Sequence, residues 1–226
     1  MIPPMAERVV NVCAGPFGGV YDFYIERPLL MRLVGRAIWG IDSSPLYTSM
    51  DAIGRAGAGA TVVDVPCGGG VAFRALSPEQ DVRYVAADLS PKMLRRAARR
   101  ARKRSLGQIE LVEADMTALP FGDAEADLFL SYSGLHMIGD PESAVREIWR
   151  CLKPGGEVVG TTFFSDGSWR ARTIFALGER RGHALPPSRA DLRRWLDAAG
   201  FAEPEIGPEP GFAAFSARKP AIGSPA

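Results

Sequence analysis

Cysteine is scarce in this chain: Cys13, Cys67 and Cys151 are the only three among 226 residues, and no two form a CxxC pair. An odd count without metal spacing excludes a disulfide framework and a zinc cluster, and it fits reduced thiols in a cytoplasmic protein. Charge of either sign is not in excess, because 27 basic residues against 26 acidic ones leave a net +1. No global field therefore argues for a nucleic-acid or membrane partner. No run approaches the roughly 18 apolar residues of a membrane span. The first residues carry no basic stretch followed by a long apolar core, so neither a signal peptide nor stable membrane insertion is expected. Repeats are missing, and low complexity is confined to the last few residues. What is present is a 46% apolar composition, enough to bury one sizeable core in a single domain.

The most informative stretch is Thr61-Val-Val-Asp-Val-Pro-Cys-Gly-Gly-Gly70. The run from Thr61 to Val65 has the length and valine content of a buried parallel strand. Three successive glycines then allow a sharp turn and let a ligand lie against bare main chain. Residues Val71 to Leu76 can start a helix whose free N–H groups would face that ligand. This is the pattern of a nucleotide-type pocket. A dinucleotide site requires Gly-x-Gly-x-x-Gly. Gly68 and Gly70 fit, but Phe73 stands where the third glycine belongs. Asp64 at the strand end would repel a pyrophosphate and attract a cationic ligand group. Both features point away from NAD.

Further along, helical spacing of Leu29, Leu33, Ala37 and Ile38 behind Pro28 predicts a helix stopped by Gly40. Ser43 or Ser44 before Pro45 starts another, with Leu46, Met50 and Ile53 on one face. Strands follow over Val82–Ala87, Ile109–Glu113, Ala126–Tyr132 and Glu157–Phe163. Between them Ser90-Pro91 caps one helix and Asp140-Pro141 opens another, which Pro154-Gly155-Gly156 stops. Strands alternating with helices imply βαβ units and a parallel sheet. Near the end, Ser188 and Asp191 form a capping box for a helix closed by Gly200. Two short strands, Phe201–Ile206 and Phe212–Ala217, are joined by so short a link that only an antiparallel hairpin fits.

Asp64-Val-Pro-Cys-Gly-Gly-Gly70 resembles the first motif of class I S-adenosylmethionine (SAM)-dependent methyltransferases, acid-x-Gly-x-Gly-x-Gly, with Pro66 in place of the first glycine. Leu119-Pro-Phe-Gly-Asp123 with Asp127-Leu-Phe resembles the family's second motif, and a terminal hairpin is how that fold ends. The resemblance covers about residues 58–219 and is to the small-molecule, ubiquinone/menaquinone methyltransferase-like type. It implies an α/β fold: a three-layer αβα sandwich with a Rossmann-like, seven-stranded, mostly parallel sheet ending in an antiparallel hairpin. Residues 1–57 would form an N-terminal helical cap on the acceptor side, 164–187 an acceptor lid, and 220–226 a flexible tail.

The resemblance also assigns residues. Asp64, Pro66, Cys67, Gly68 and Gly70 would line the cofactor turn, and Asp88 would accept both ribose hydroxyls. Leu89 would press on the adenine, Asp115 would accept its amino group, the Met116 amide would contact the ring, and Ser131 would complete the pocket. His136 is either a base for a hydroxyl nucleophile or a packing residue beside the pocket. Tyr21, Tyr24, Trp39 and Trp169, with Tyr47, Arg170, Phe175 and His183, would build the acceptor side, or simply fill a small core. No metal is expected. The eight basic residues from Lys92 to Arg104 read as the solvated face of one helix, so no nucleic-acid partner is expected. The implied reaction is methyl transfer from SAM, leaving S-adenosylhomocysteine (SAH), to oxygen or carbon of a small hydrophobic acceptor. The alternative is a SAM-binding protein without turnover, regulatory or a partner subunit. A homodimer is left open.

Overall fold

The computed structural model describes residues 24–179, 184–221 and residue 223. Seven strands form one sheet: β1 (Ala60–Asp64), β2 (Val82–Asp88), β3 (Ile109–Glu113), β4 (Ala126–Tyr132), β5 (Leu152–Phe163), β6 (Ala202–Ile206) and β7 (Phe212–Arg218). They lie in the order β3-β2-β1-β4-β5-β7-β6. The five strands β1 to β5 are parallel, and β7 runs antiparallel to both β5 and β6. The terminal hairpin is thus present. Strand order reverses between β1 and β4, and in open α/β sheets that reversal opens a crevice at the carboxyl ends of the strands.

Helices cover both faces. One face carries α1 (Pro28–Val34), α2 (Ser44–Thr48), α3 (Asp51–Gly54) and α4 (Pro91–Lys103). Its core joins Leu46, Met50 and Ile53 to Val62, Tyr84, Ala97, Leu130 and Tyr132. The other carries α5 (Pro141–Cys151) and α7 (Arg189–Ala199), whose Ile148, Leu192 and Leu196 bury against Val63, Val85 and Phe129. Strand alternation does this: Val62 and Val63 belong to opposite cores because successive side chains leave opposite faces. By the same rule Asp64, Tyr84, Asp88 and Tyr132 share one face.

The caps act as their residue types dictate. Ser90 accepts from the Met93 amide at the start of α4, and Asp140 accepts from Ser143 at the start of α5. Ser188 and Asp191 form the reciprocal capping box of α7, which Gly200 ends at φ 95°.

Three expectations change. The helix behind the glycine turn is a 3-10 segment, Val71–Ala75, ending where Leu76 turns extended. Pro78 reinforces the end of the segment one residue further on, because Ser77 before it is driven out of the helical region. The helix expected from Ser43 onward divides into α2 and α3, although Leu46, Met50 and Ile53 still reach one core. Strand β5 begins at Leu152, which pairs with Ala126 before an irregularity in the ladder. The Pro154-Gly155-Gly156 stop therefore lies inside the strand, with Gly155 at φ 82°. Gly40 ends the first helical segment as expected: α1 continues as a π-helical turn, Gly35–Trp39, that Gly40 closes in the left-handed region. The insert carries α6 (Trp169–Glu179).

Candidate cofactor and acceptor site

The carboxyl ends of β1, β2 and β4 are stitched together by main chain. The Cys67 amide donates to the Ala87 carbonyl at 2.8 Å and the Val65 amide to the Leu130 carbonyl at 3.0 Å. The turn from Cys67 to Gly70 closes on itself through Gly70 N–H to Cys67 C=O at 2.9 Å. Gly68 and Gly70 both take positive φ, 54° and 78°, a conformation for which glycine is the default residue. A side chain on Gly70 would also strike the ring of Phe73. Phe73, in the place of the third dinucleotide glycine, is a fully buried core residue. Burial pushes the Cys67 thiol well up, so this residue serves the turn through its main chain. Pro66 sits half-buried against Gly134.

Asp88 ends β2 and is 7% exposed. One carboxylate oxygen accepts the Gly68 N–H at 2.8 Å, and the other accepts the Ser90 N–H at 2.8 Å. Burial raises its pKa and these two amides pull it back down. A carboxylate has about four lone-pair sites, so two anchoring bonds leave room for a diol.

Asp64 ends β1 and is 1% exposed. Its Oδ2 accepts from the Tyr84 hydroxyl at 2.9 Å, while its Oδ1 is buried with no hydrogen-bond partner among the described residues. Burial raises the carboxyl pKa to about 7, opposed by Tyr84 and assisted by Asp88.

Asp115 follows β3, half-exposed, with Oδ1 accepting from the Thr117 amide and hydroxyl, both at 2.8 Å. Its second oxygen is left for another donor. Met116 is buried, Leu89 half-buried. Ser131 in β4 is fully buried, its hydroxyl without a partner among the described residues.

At the end of β4, the loop carrying His136 meets an aromatic cluster. Phe163 lies 4.9 Å from His136, Trp39 lies 5.3 Å from Phe163, and Phe175 lies 5.2 Å from Phe163, all by ring centroids. His136 Nδ1 and the Thr162 hydroxyl are 3.3 Å apart. Burial alone lowers the His136 pKa to about 3. Ser168 ties α6 to the first helices by donating to the Trp39 carbonyl at 2.6 Å. The acceptor-side expectations fare unevenly. Trp39 and Phe175 are in the cluster, whereas Trp169 is 72% exposed at the start of α6, where Arg170 stacks on its ring. Tyr24 is half-buried, and Tyr47 donates to the Ile25 carbonyl at 2.7 Å. Tyr21 and His183 lie outside the described residues. The loop after β4 also walls a cavity of about 350 Å³, lined by Leu135, Ile138, Leu185, Pro186 and Trp195.

Sequence reading missed Tyr84, Thr162 and Phe163. A tyrosine among the valines and alanines of β2 was the available signal for Tyr84. Among the described residues no cluster of three or more potential metal ligands exists, and no helix is long and apolar enough to cross a membrane.

The glycine turn, the acids at the ends of β1 and β2 and after β3, and the β1/β4 crevice define a Rossmann-like nucleoside-binding domain. Two orphaned buried polar atoms and the uncommitted lone pairs of Asp88 and Asp115 fit SAM, whose amino group, ribose and adenine supply matching donors. The Methyltransferase domain family matches residues 63–160. Demethylmenaquinone methyltransferase of Clavibacter sepedonicus is 36% identical over 169 residues, covering 66% of this chain and 68% of that protein. Malonyl-[acyl-carrier protein] O-methyltransferase of Hahella chejuensis is 31% identical, covering 70% of this chain and 53% of that protein. The chain belongs to the class I SAM-dependent methyltransferases. It spans about a third to a half of the length of the first curated relatives it matches. Phosphoethanolamine N-methyltransferase 2 of Haemonchus contortus, solved with S-adenosyl-L-methionine, shares the fold with a TM-score of 0.77 at 16% identity, covering 97% of this chain and 60% of that one.

Proposed function

We propose that this chain transfers the methyl group of SAM to oxygen or carbon of a small, hydrophobic acceptor in the cytoplasm. The observation that carries the reading is the meeting of two environments at the carboxyl edge of the sheet. Buried acids with spare acceptor capacity stand at the ends of β1 and β2, and an aromatic cluster stands beyond β4. Bound SAM supplies an activated methyl group. The chain then has to hold its ligands and keep water out, and positioning can account for most of the acceleration.

In this reading Asp64 pairs with the methionine amino group, Asp88 holds the ribose diol and Asp115 the adenine amino group. Pro66, Cys67, Gly68 and Gly70 offer close-packed main chain, while Leu89 and Met116 flank the base and Ser131 adds a hydroxyl. Trp39, Phe163 and Phe175 face the acceptor. Described parts of the N-terminal segment and of the 164–187 insert form its walls. The cavity beside the His136 loop, lined by Leu135, Leu185 and Trp195 together with Asp191, is within the size range of small-molecule sites.

His136 is buried and neutral, with the Thr162 hydroxyl 3.3 Å from its Nδ1. A base with a pKa of about 3 would take a proton from a phenol of pKa near 10 against roughly 10 kcal/mol. We therefore assign His136 to orienting the acceptor by neutral hydrogen bonding, with Thr162 facing its Nδ1. An acceptor whose nucleophile is already formed suits such a site. The alternative, a SAM-binding protein without turnover, predicts SAH binding with no acceptor at all. Transfer of labelled methyl from SAM across a panel of quinols, acidic phenols and lipids tests the proposal. Label in an extractable product supports it, and binding without label in any product favours the alternative.

A further inference from the structure

We propose that Tyr84 is a positioning residue for the cofactor: its hydroxyl fixes the Asp64 carboxylate so that Oδ1 meets the cationic amino group of the bound ligand. The inference rests on the SAM-binding reading above and extends it to a residue of the neighbouring strand β2, paired with Val62. Three observations carry it.

First, the carboxylate is half satisfied. Tyr84 donates to Oδ2 at 2.9 Å, and Oδ1 is buried with no partner among the described residues. An unpaired buried acceptor is costly, so it marks a place where a donor arrives with the ligand.

Second, among the described residues no ion-pair or electrostatic partner of Asp64 is basic. The groups facing Asp64 are Tyr84 and Asp88 from β2, Cys67 from the glycine turn and Tyr132 from β4. All are neutral or acidic. Arg55 and Asp51 act on Tyr132, and among the described residues no ion pair includes Asp64. A ligand ammonium group would complete the site, and SAM and SAH both carry one.

Third, Tyr84 is itself held in place by the cofactor turn. Its ring is fully buried and meets Phe73 edge-on at 5.6 Å and 89°. Phe73 in turn occupies the space beside Gly70. The turn, Phe73, Tyr84 and Asp64 are thus one packed series, so that Tyr84 holds the acid in register with the main chain that faces the nucleoside.

The hydrogen bond from Tyr84 favours the ionised carboxyl, whose pKa stands at about 7. Below that pH Asp64 must lose a proton to meet an ammonium group, so affinity for SAH rises with pH and levels off above about 7. Calorimetric titration with SAH between pH 5.5 and 7.5 tests the inference on the unmodified protein, Tyr84→Phe and Asp64→Asn. Tyr84→Phe keeps the ring and its contact with Phe73. It is expected to weaken binding about fivefold at pH 7 if the Asp64 pKa rises by one unit, with affinity still climbing at pH 7.5. Asp64→Asn is expected to bind weakly with a flat profile. Superimposable profiles for Tyr84→Phe and the unmodified protein overturn the inference. So does a loss by one constant factor at every pH, which is the mark of a merely structural role. If Tyr84→Phe does not fold, titration of the unmodified protein at pH 6 in two buffers of different ionisation enthalpy decides. Proton release on binding SAH supports the inference and its absence overturns it. No SAH binding at any pH by the unmodified protein removes the cofactor reading itself and this inference with it.

Discussion

The carboxylate that ends β2 holds the glycine turn that leaves β1: Asp88 accepts the Gly68 N–H at 2.8 Å. Asp88 thereby has two tasks. It fixes the turn from below, and its remaining lone pairs face the place proposed for a ribose diol. Replacing it by alanine is expected to weaken SAH binding by about ten- to a hundredfold and to cost about 1–3 kcal/mol of stability, through the orphaned amides of Gly68 and Ser90. Calorimetry and denaturant unfolding measure the two effects. Unchanged affinity would remove the ribose assignment.

Gly70 is under two constraints, its φ of 78° and the ring of Phe73 beside it. Gly70→Ala is expected to lose about 1–3 kcal/mol and to weaken SAH binding, because Phe73 must shift or the turn must open. Equal loss of stability with full affinity in a chemical denaturation and titration series would show that the turn does not face the ligand.

Two buried groups should make opposite pH-dependent contributions to stability. His136 has a folded pKa depressed to about 3, so its contribution is present above its unfolded value near 6.5 and is lost as pH falls. Asp64 has a folded pKa raised to about 7, so its contribution is present below its unfolded value near 4 and is lost as pH rises through 7. Between pH 7 and pH 5 each changes stability by about 2 kcal/mol, in opposite directions. Relative to the unmodified protein, His136→Phe is expected to gain stability on going from pH 7 to 5, and Asp64→Asn to lose it. Parallel stability profiles for all three proteins would contradict the burial of both groups.

If His136 orients an acceptor rather than deprotonating it, His136→Gln should lower kcat while leaving the shape of the pH–rate profile between pH 5 and 8 unchanged. An inflection near neutrality that disappears in the variant would restore the histidine as a base.

Most of the sheet was legible because its strands are short apolar runs, β-branched in β1 and aliphatic or aromatic in β4, set off by polar and turn residues. Strands β3 and β4 fall where those patterns place them, and the capping side chains Ser90, Asp140 and Ser188 mark helix starts through local chemistry. The segment after the turn closes as a 3-10 turn instead of an α-helix, a difference that apolar spacing over so few residues does not reveal. The partnership of Asp64 with Tyr84 was beyond sequence reading. It depends on the parallel register that sets Val62 against Tyr84 and Asp64 against Ala86, and register is a property of two strands together. The acceptor end was hardest, since Trp39, His136, Phe163 and Phe175 come from four separate elements. Trp169 illustrates the difficulty: its composition suggested a pocket aromatic, and its position at the first turn of α6 sends it to the surface.

The most direct test of the account is a crystal structure of the protein with SAH bound. The expected result places the ligand's amino group on Asp64, its ribose hydroxyls on Asp88, its adenine beside Asp115 and Met116, and its sulfur facing the aromatic cluster of Trp39, His136 and Phe163. A ligand seated elsewhere, or one whose ribose makes no contact with Asp88, would contradict it.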